Sequence, residues 1–578
     1  MSLAPSEPPS LRPVAAVAAR APYHSPERLT PIDLRLNGNE GAAPPASLLD
    51  ALQEQGAAAI NHYPSTAKVE AMLAERFGVA VDHVLVTAGG DDALQRACRA
   101  VVEPGRQAVL PTPTFEMFAR FIELAGGDTV EVPWPEGPYP VDACLAAAGP
   151  RTSLVVVVSP NNPTGLTATL DDIQRLSRER PGALVLVDLA YVEFADLDLT
   201  SALLDLPNVL VARTLSKAWG LAGLRVGYAL GAPEIIRWLR TTGLPYSVSG
   251  PSLALAAAWL EQGEPLLTDF VQGVRREREA IAATLRELGV EPLPSEGNFV
   301  AFRSPKAAWI GDALAGLGIS IRTWADQPEL ADFVRIGCPG SDEGLTRLQH
   351  GLKCALAPEA LLLDMDGVLV DVRGSYREAI RVTARGYGVE IDDETIAVAK
   401  RQPDSNNDWA VTQRLLAARG IDASLEEVTR RFEAVYHGTD AEPGLWRAES
   451  LLVTRALLEG LKARMPLAIV TGRPRLDAER LLAWKGLSDL FDHVVCLEDT
   501  PKGKPDPAPV RVALERLGLG HAWMVGDTPD DARAARSAGV VPLGILPPGE
   551  TEEIAREALL RGGAGRIRVG CGGRQRTR

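Results

Sequence analysis

Short apolar runs without polar alternation recur along the chain, and each ends in polar or glycine residues before a helical pattern begins. HVLVTAGG, QAVLPTP, TSLVVVVSP, ALVLVDLAY and NVLVART form one series between residues 83 and 214. A strand that is apolar on both faces has to be covered on both faces, which predicts parallel strands sandwiched between helices. The pattern restarts near residue 358 with ALLLDMDGVLVD, LAIVTGRP, HVVCLED and AWMVGDT. The fold class is therefore α/β in both halves. Ligands in such sheets sit at the carboxyl ends of the strands, and the polar residues of both series fall there.

A chain of 578 residues is long enough for several structural units. The join between the series, QHGLKCALAPEA, holds no Gly/Ser linker, so the halves are expected to be closely joined. A net charge of −15 argues against broad nucleic-acid binding, which needs a basic face. No apolar run reaches the roughly 18–20 residues of a membrane span. Residues 1–22 lack a basic start and a continuous apolar stretch, and read as a disordered arm rather than a signal peptide. The segment RGGAGRIRVGCGGRQRTR carries six arginines and no acid, so residues 557–578 read as a flexible basic tail. Six scattered cysteines with no C-x-x-C pair suggest reduced thiols and a cytoplasmic setting, and the seven histidines do not cluster with them as a zinc site would.

Chemistry concentrates first in ARTLSKAWGLAGLRVGY, residues 212–228. A lysine at a strand end, here Lys217, can condense with an aldehyde cofactor. Thr214, Ser216 and Arg225 around it are donors suited to a phosphate. Upstream, TAGGDDAL puts Gly90 and Asp91 at a strand-to-helix junction, where free backbone amides bind phosphate. Asp188 ends the strand ALVLVD and could pair with a protonated pyridine nitrogen. Tyr191 could hydrogen-bond a ring hydroxyl.

Residues 23–357, with the strings LRLNGNEGAAPP, NHYPS, PTPTFEMF, VVSPNNPTG, LVDLAYVEF, SEGNFV and VRIGCPG beside those above, resemble the fold-type-I aminotransferases. The likeness is specifically to the histidinol-phosphate aminotransferase family, with a large and a small domain. The resemblance implies pyridoxal 5'-phosphate, with Lys217 as Schiff-base lysine and proton shuttle. It implies that Gly90, Asp91, Thr214, Ser216 and Arg225 hold the phosphate, that Phe115 stacks on the ring, and that Asn162, Asp188 and Tyr191 contact ring O3 and N1. Tyr63 would reach the phosphate of a partner subunit, so a homodimer is implied. Arg335, aided by Arg322, would take the acidic group of the substrate, with Asn39 and Tyr23 at the entrance. The sequence departs from the family pattern at Phe115, often tyrosine, at Leu189, where the family has glutamate, and in the turn Gly90-Asp91-Asp92.

The second series opens with DMDGVLVD, which puts Asp364 and Asp366 on one side of a strand end. Phosphoryl transfer needs a nucleophile, a proton donor and a cation. Asp364 can attack phosphorus, and Asp366 can protonate the leaving oxygen. Thr471, Lys504, Asp527 and Asp531 follow in order, an oxygen-rich set suited to Mg²⁺. Residues 358–556 resemble the haloacid dehalogenase (HAD) superfamily, a Rossmann-like fold. This implies Mg²⁺ held by Asp364, the backbone carbonyl of Asp366 and Asp527, with Asp531 as the second acid of the last motif. Thr471 and Lys504 would orient the phosphoryl oxygens. The largely helical insert at about 372–455 would be a cap, in which Asn406, Asn407 and Asp408 could touch substrate or simply cap a helix.

Together the resemblances imply a bifunctional enzyme for two consecutive steps of histidine biosynthesis: a transaminase interconverting histidinol phosphate and imidazole-acetol phosphate, and a phosphatase for histidinol phosphate. Other phosphorylated or amino-sugar substrates, an unrelated phosphatase substrate, and a regulatory protein with one dead half remain as alternatives.

Overall fold

The computed structural model describes residues 11–22, 28–400, 402, 407–439, 443–546 and 551–569. A seven-stranded sheet forms the first half, from β1 (Val84–Thr87), β2 (Gln107–Thr112), β3 (Asp128–Pro133), β4 (Thr152–Val158), β5 (Leu184–Asp188), β6 (Val209–Thr214) and β7 (Gly227–Gly231), in the order β1-β7-β6-β5-β4-β2-β3. β7 runs antiparallel to both neighbours, and the remaining pairings are parallel. All residues of β4 to β7 are buried, as their largely apolar sequences require, and the one buried cation among them, Arg213 of β6, is paired with Glu193 and Asp198. Helix α1 (Gly90–Val101) leaves β1 through Gly89, whose φ of 82° suits only glycine well.

A smaller antiparallel sheet follows, β9-β10-β8, built from β8 (Phe299–Arg303), β9 (Arg322–Thr323) and β10 (Phe333–Gly337). It packs with α2 (Ala307–Gly316) and α3 (Asp342–Leu356) around Phe302, Ile310, Leu314 and Leu348.

The second half is a six-stranded parallel sheet in the order β13-β12-β11-β14-β15-β16, from β11 (Ala360–Leu363), β12 (Leu467–Val470), β13 (His493–Val495), β14 (Ala522–Gly526), β15 (Val541–Leu546) and β16 (Arg566–Val569). An antiparallel ribbon, Val370–Asp371 with Ser450–Leu451, leads out to helices α4 (Tyr376–Arg385), α5 (Asp408–Ala417) and α6 (Leu425–His437). These pack on a core of their own around Ile380, Val411, Phe432 and Tyr436. Helix α7 (Pro529–Ser537) follows β14, and α8 (Glu552–Gly562) precedes β16.

Two terminal expectations need correction. The basic tail assigned to 557–578 begins inside α8, and 566–569 form the edge strand β16, with Ala564 and Ile567 buried against Leu559. The arginine and glycine content of this stretch masked the alternation of RIRV, whose inward Ile567 pairs beside β15. The disordered arm assigned to 1–22 contains a short helix, Ala15–Ala18, and Arg120 donates to the Ala21 carbonyl at 3.0 Å.

The two halves meet directly. Trp309 of α2 and Trp523 of β14 pack edge to face, with centroids 4.9 Å apart. Their indole N–H groups donate to the carbonyls of Ala355 (2.8 Å) and Cys354 (2.7 Å), which closes the C-terminal end of α3. Arg536 of α7 bonds Asp33, and Arg566 bonds Asp312. Deleting residues 557–578 removes β16 and part of α8, and exposes the edge of β15. A thermal melt and a phosphatase assay of the truncated protein are expected to show a lowered transition and reduced soluble activity; an unchanged melt contradicts the strand assignment.

Candidate active sites

The lysine site gathers at the carboxyl ends of β5 and β6. Lys217 lies three residues beyond β6 and its Nζ donates to the Gly38 carbonyl at 2.9 Å. The segment bearing Gly38 is drawn there because Leu34–Arg35 pairs in parallel with Ile319–Ser320. Asn39 is buried, donates to the Tyr191 hydroxyl at 3.3 Å and accepts at its backbone carbonyl from Asn298. Its Oδ1 has no hydrogen-bond partner among the described residues, an orphan acceptor of the kind a bound molecule satisfies. Arg335 of β10 donates to Asn162 Oδ1 and to the Asn37 carbonyl. Arg322 stands directly opposite Arg335 across the ladder, 3.6 Å from Glu116 and over the Trp324 ring.

The phosphate-like end lies at the start of α1. A Cβ on Gly227 would fall 2.4 Å from the Gly89 carbonyl carbon and 2.5 Å from the Gly90 nitrogen, so glycine at 227 lets β7 close on that turn. Thr214 Oγ1 lies 2.9 Å from Ser216 Oγ, and Arg225, in the left-handed region with φ 53°, reaches Asp91 (3.1 Å) and Ser216 (3.5 Å). The α1 amides, two hydroxyls and a guanidinium thus converge on one spot, an anion site by chemistry. Asp188 ends β5 and accepts from the Ala190 N–H at 3.0 Å. Burial pushes its carboxyl up to about 7; Asp91 adds to this, and Lys217 opposes it. A protonated ring nitrogen would supply the countercharge this buried acid lacks, so the donor set fits pyridoxal phosphate. Phe115 is half-buried against Phe118 nearby. Tyr63 does not join this cluster within the chain: it is 82% exposed and stacks on Tyr246. Tyr23 lies outside the described residues.

The aspartate site sits at the carboxyl ends of β11, β12 and β14. Asp364 follows β11, and its N–H donates to the Val525 carbonyl at 2.9 Å. Lys504 Nζ lies 2.7 Å from Asp364, 2.5 Å from Asp531 and 3.0 Å from the Val470 carbonyl. Carboxylate atoms of Asp364, Asp527 and Asp531 come within 4.8 Å of one another. Burial raises Asp364 to about 7, with Lys504 opposing, and burial with the neighbouring acids pushes Asp527 up as well. Acids this crowded call for a cation, so the group fits Mg²⁺. Gly367, φ 71°, is required here because a Cβ would lie 1.9 Å from Asp527 Oδ2. Asp531 Oδ2 also accepts from the Thr528 N–H and hydroxyl, capping α7, so this acid is held from both sides. Thr471 is buried, and its hydroxyl accepts from the Arg473 N–H at 3.2 Å.

Asp366 turns its carboxylate to Arg473, 2.6 Å away, and so stands outside the three-acid group. Sequence reasoning passed over Arg473. Its guanidinium, fully enclosed, also reaches Glu449 (3.1 Å) and the Tyr436 hydroxyl (3.3 Å) and lies over the Tyr376 ring. It therefore links the acid Asp366 to the insert helices and to the strand beside their hinge. The usable signal was a charged residue directly after Thr-Gly at a buried strand end; Glu449, which answers it, is far away in sequence. Asn407 accepts from the Ala410 N–H and caps α5, the structural of its two readings; Asn406 lies outside the described residues. Asp408 pairs with Lys400 at 2.6 Å. A cavity of about 640 Å³ spans the space between insert and sheet, lined by Asp364, Asp366, Tyr376, Lys400, Trp409 and Lys504 among others.

Two expectations follow. Asp188 is raised above its unfolded value, so in the cofactor-free protein it weakens the fold progressively as pH climbs from about 4 toward 7. Cofactor-free Asp188→Asn is expected to melt higher than wild type at pH 8 and to lose that advantage toward pH 5; a gap independent of pH contradicts the assignment. Arg473→Gln leaves Glu449 buried without its cation, a loss of about 3–5 kcal/mol. The melt of the second half should fall, and kcat for a generic phosphate ester should drop more than KM changes.

Residues 30–352 match the family model of class I and II aminotransferases, and residues 358–539 match that of the haloacid dehalogenase-like hydrolases. Histidinol-phosphate aminotransferase 1 of Trichormus variabilis is 32% identical over 336 residues, covering 57% of this chain and 94% of that protein. An aromatic amino acid aminotransferase of Mycobacterium avium is 35% identical over 338 residues, 57% of this chain and 94% of the relative. A protein named imidazoleglycerol-phosphate dehydratase from Phytophthora nicotianae is 47% identical over 198 residues, which is 33% of this chain and only 44% of that protein. The crystal structure of histidinol-phosphate aminotransferase from Sinorhizobium meliloti in complex with pyridoxal-5'-phosphate superposes with a TM-score of 0.54 at 28% identity, over 60% of this chain and 97% of that one. The chain belongs to the class I and II aminotransferases, and carries a haloacid dehalogenase-like hydrolase unit behind them in the same polypeptide.

Proposed function

We propose that this chain is a bifunctional enzyme of histidine biosynthesis. Its first unit moves an amino group between histidinol phosphate and 2-oxoglutarate, giving imidazole-acetol phosphate and glutamate. Its second unit removes the phosphate of histidinol phosphate. The observation that carries the reading is that one chain holds two separate clusters suited to these chemistries, Lys217 with Asp188 and Arg335, and Asp364 with Asp366 and Lys504. Two relatives support the pathway by name, a histidinol-phosphate aminotransferase and an imidazoleglycerol-phosphate dehydratase.

Pyridoxal phosphate, when bound, supplies an aldehyde for the substrate amine and an electron sink for its α-carbon. Asp188 would hold the ring nitrogen protonated, and the α1 amides with Ser216 and Arg225 would hold the phosphate. Lys217 Nζ would hold the cofactor and carry the α-proton of the substrate. Arg335 would fix the acidic group of the substrate. In the second unit Mg²⁺, when bound, neutralises phosphoryl charge. Asp364 would attack phosphorus, Asp366 would protonate the leaving oxygen, and Lys504 and Thr471 would steady the phosphoryl oxygens. Exposed Tyr63 supports a homodimer in which it reaches the other copy. Among the described residues no helix is long and apolar enough to cross a membrane, and their five cysteines are free thiols, which supports a reducing, cytoplasmic setting.

A second reading, transfer to and from aromatic amino acids, is favoured by the mycobacterial relative. Both are tested with two variants. Lys217→Ala is expected to abolish the visible absorbance of bound cofactor and transamination by at least 10³-fold while sparing ester hydrolysis, and Asp364→Asn to do the reverse. Wild type that aminates aromatic 2-oxo acids but leaves imidazole-acetol phosphate untouched decides for the second reading. Either variant losing both activities contradicts two independent sites.

A further inference from the structure

A second cavity, of about 470 Å³, opens where the two halves join, away from both candidate active sites. Its walls come from α2, the end of α3, the linker at Pro358 and strands β14, β15 and β16, so it exists only because the units are docked. The indole rings of Trp309 and Trp523 face it together with Leu356, Pro358 and Leu543. Both indole N–H groups are already spent on backbone carbonyls, so the rings are fixed and offer only apolar surface and edges.

The polar part of the lining is of one sign. Lys306, Arg566 and Arg568 line the cavity, and no aspartate or glutamate does. Arg566 lies with its guanidinium 5.3 Å from the Trp309 ring centre and bonds Asp312 at 2.8 Å. Asp312 is shared with Arg28, 3.0 Å away, so its charge is divided between two cations. Lys306 and Arg568 are exposed and form no ion pair among the described residues. In a chain of net charge −15, a rim of three cations over an aromatic floor is a local reversal of sign. The volume falls in the usual range for small-molecule sites, which favour domain interfaces.

We propose that this junction cavity binds a small aromatic anion, its ring against Trp309 and Trp523 and its carboxylate or phosphate on Lys306 and Arg568. A guanidinium pairs with either head group in two-pronged fashion, and flat rings pack well against fixed indoles. A molecule held there touches the aminotransferase unit through α2 and the hydrolase unit through β16. Its binding therefore stabilises the docked arrangement of the two by mass action.

The test is calorimetric titration of the full-length, cofactor-loaded protein with indole-3-acetate and with phenylphosphonate, which the phosphatase cannot hydrolyse. Indole-3-acetamide serves as the neutral control. At least one anion is expected to bind at one site per chain, with at least tenfold weaker affinity in the Lys306→Glu/Arg568→Glu variant and no comparable binding of the amide. Binding of indole-3-acetate alone assigns a carboxylate head group; binding of phenylphosphonate alone assigns a phosphate. The variant should keep the cofactor absorbance and ester hydrolysis of the wild type, because neither residue belongs to a catalytic set. If it fails to fold, Arg568→Gln takes its place. Equal binding to wild type and variant, equal binding of the amide, or no binding of either anion overturns the proposal.

Discussion

A buried carboxylate at the carboxyl end of a parallel strand has to be given a countercharge, and both halves of this chain are organised around that requirement. Asp188 ends β5 and Asp364 follows β11, each enclosed and each pushed up to about 7 by burial. In the first half the opposing charge nearby is Lys217, which leaves room for a protonated ring nitrogen. In the second, Lys504 is wedged between Asp364 and Asp531 and still leaves an acidic surplus at Asp527. The same electrostatic deficit, which a protonated ring nitrogen would answer in the first site and a metal ion in the second, separates the two proposed chemistries.

The units are docked rather than strung together. The tryptophan pair, the indole bonds to the end of α3 and the Arg536–Asp33 bridge fix the small antiparallel sheet and its helices against β14 to β16. One product of this docking is a cationic, aromatic-floored cavity that neither unit forms by itself. The insert helices, by contrast, are joined to their sheet by a two-stranded ribbon and by Arg473, whose guanidinium binds the acid Asp366 on one side and Glu449 and Tyr436 on the other. Movement of the insert would thus be felt at Asp366, the proposed proton donor.

Much of this was legible in the residues, because contiguous strings carry it. Unbroken apolar runs announced the parallel strands; Asp188, Asp364 and Lys217 each sit within three residues of a strand end, and Lys504 lies in the contiguous string GKPDP. What stayed hidden depends on distant pairing. Arg473 gains its meaning from Glu449 and Asp366, and Asn39 from Tyr191 and Asn298, none of them near in sequence. Strand β16 was hidden for a different reason. An edge strand needs only one inward apolar residue, and Ile567 stood among arginines and glycines that suggested a loose end.

The most direct measurement is a single ³¹P NMR time course of wild-type protein given imidazole-acetol phosphate, glutamate, pyridoxal phosphate and Mg²⁺. The account predicts that the signal of histidinol phosphate rises first and inorganic phosphate follows from it, with no phosphate released when glutamate is withheld. Phosphate released equally without glutamate, or histidinol phosphate that accumulates untouched while other esters are cleaved, would contradict two consecutive steps in one chain.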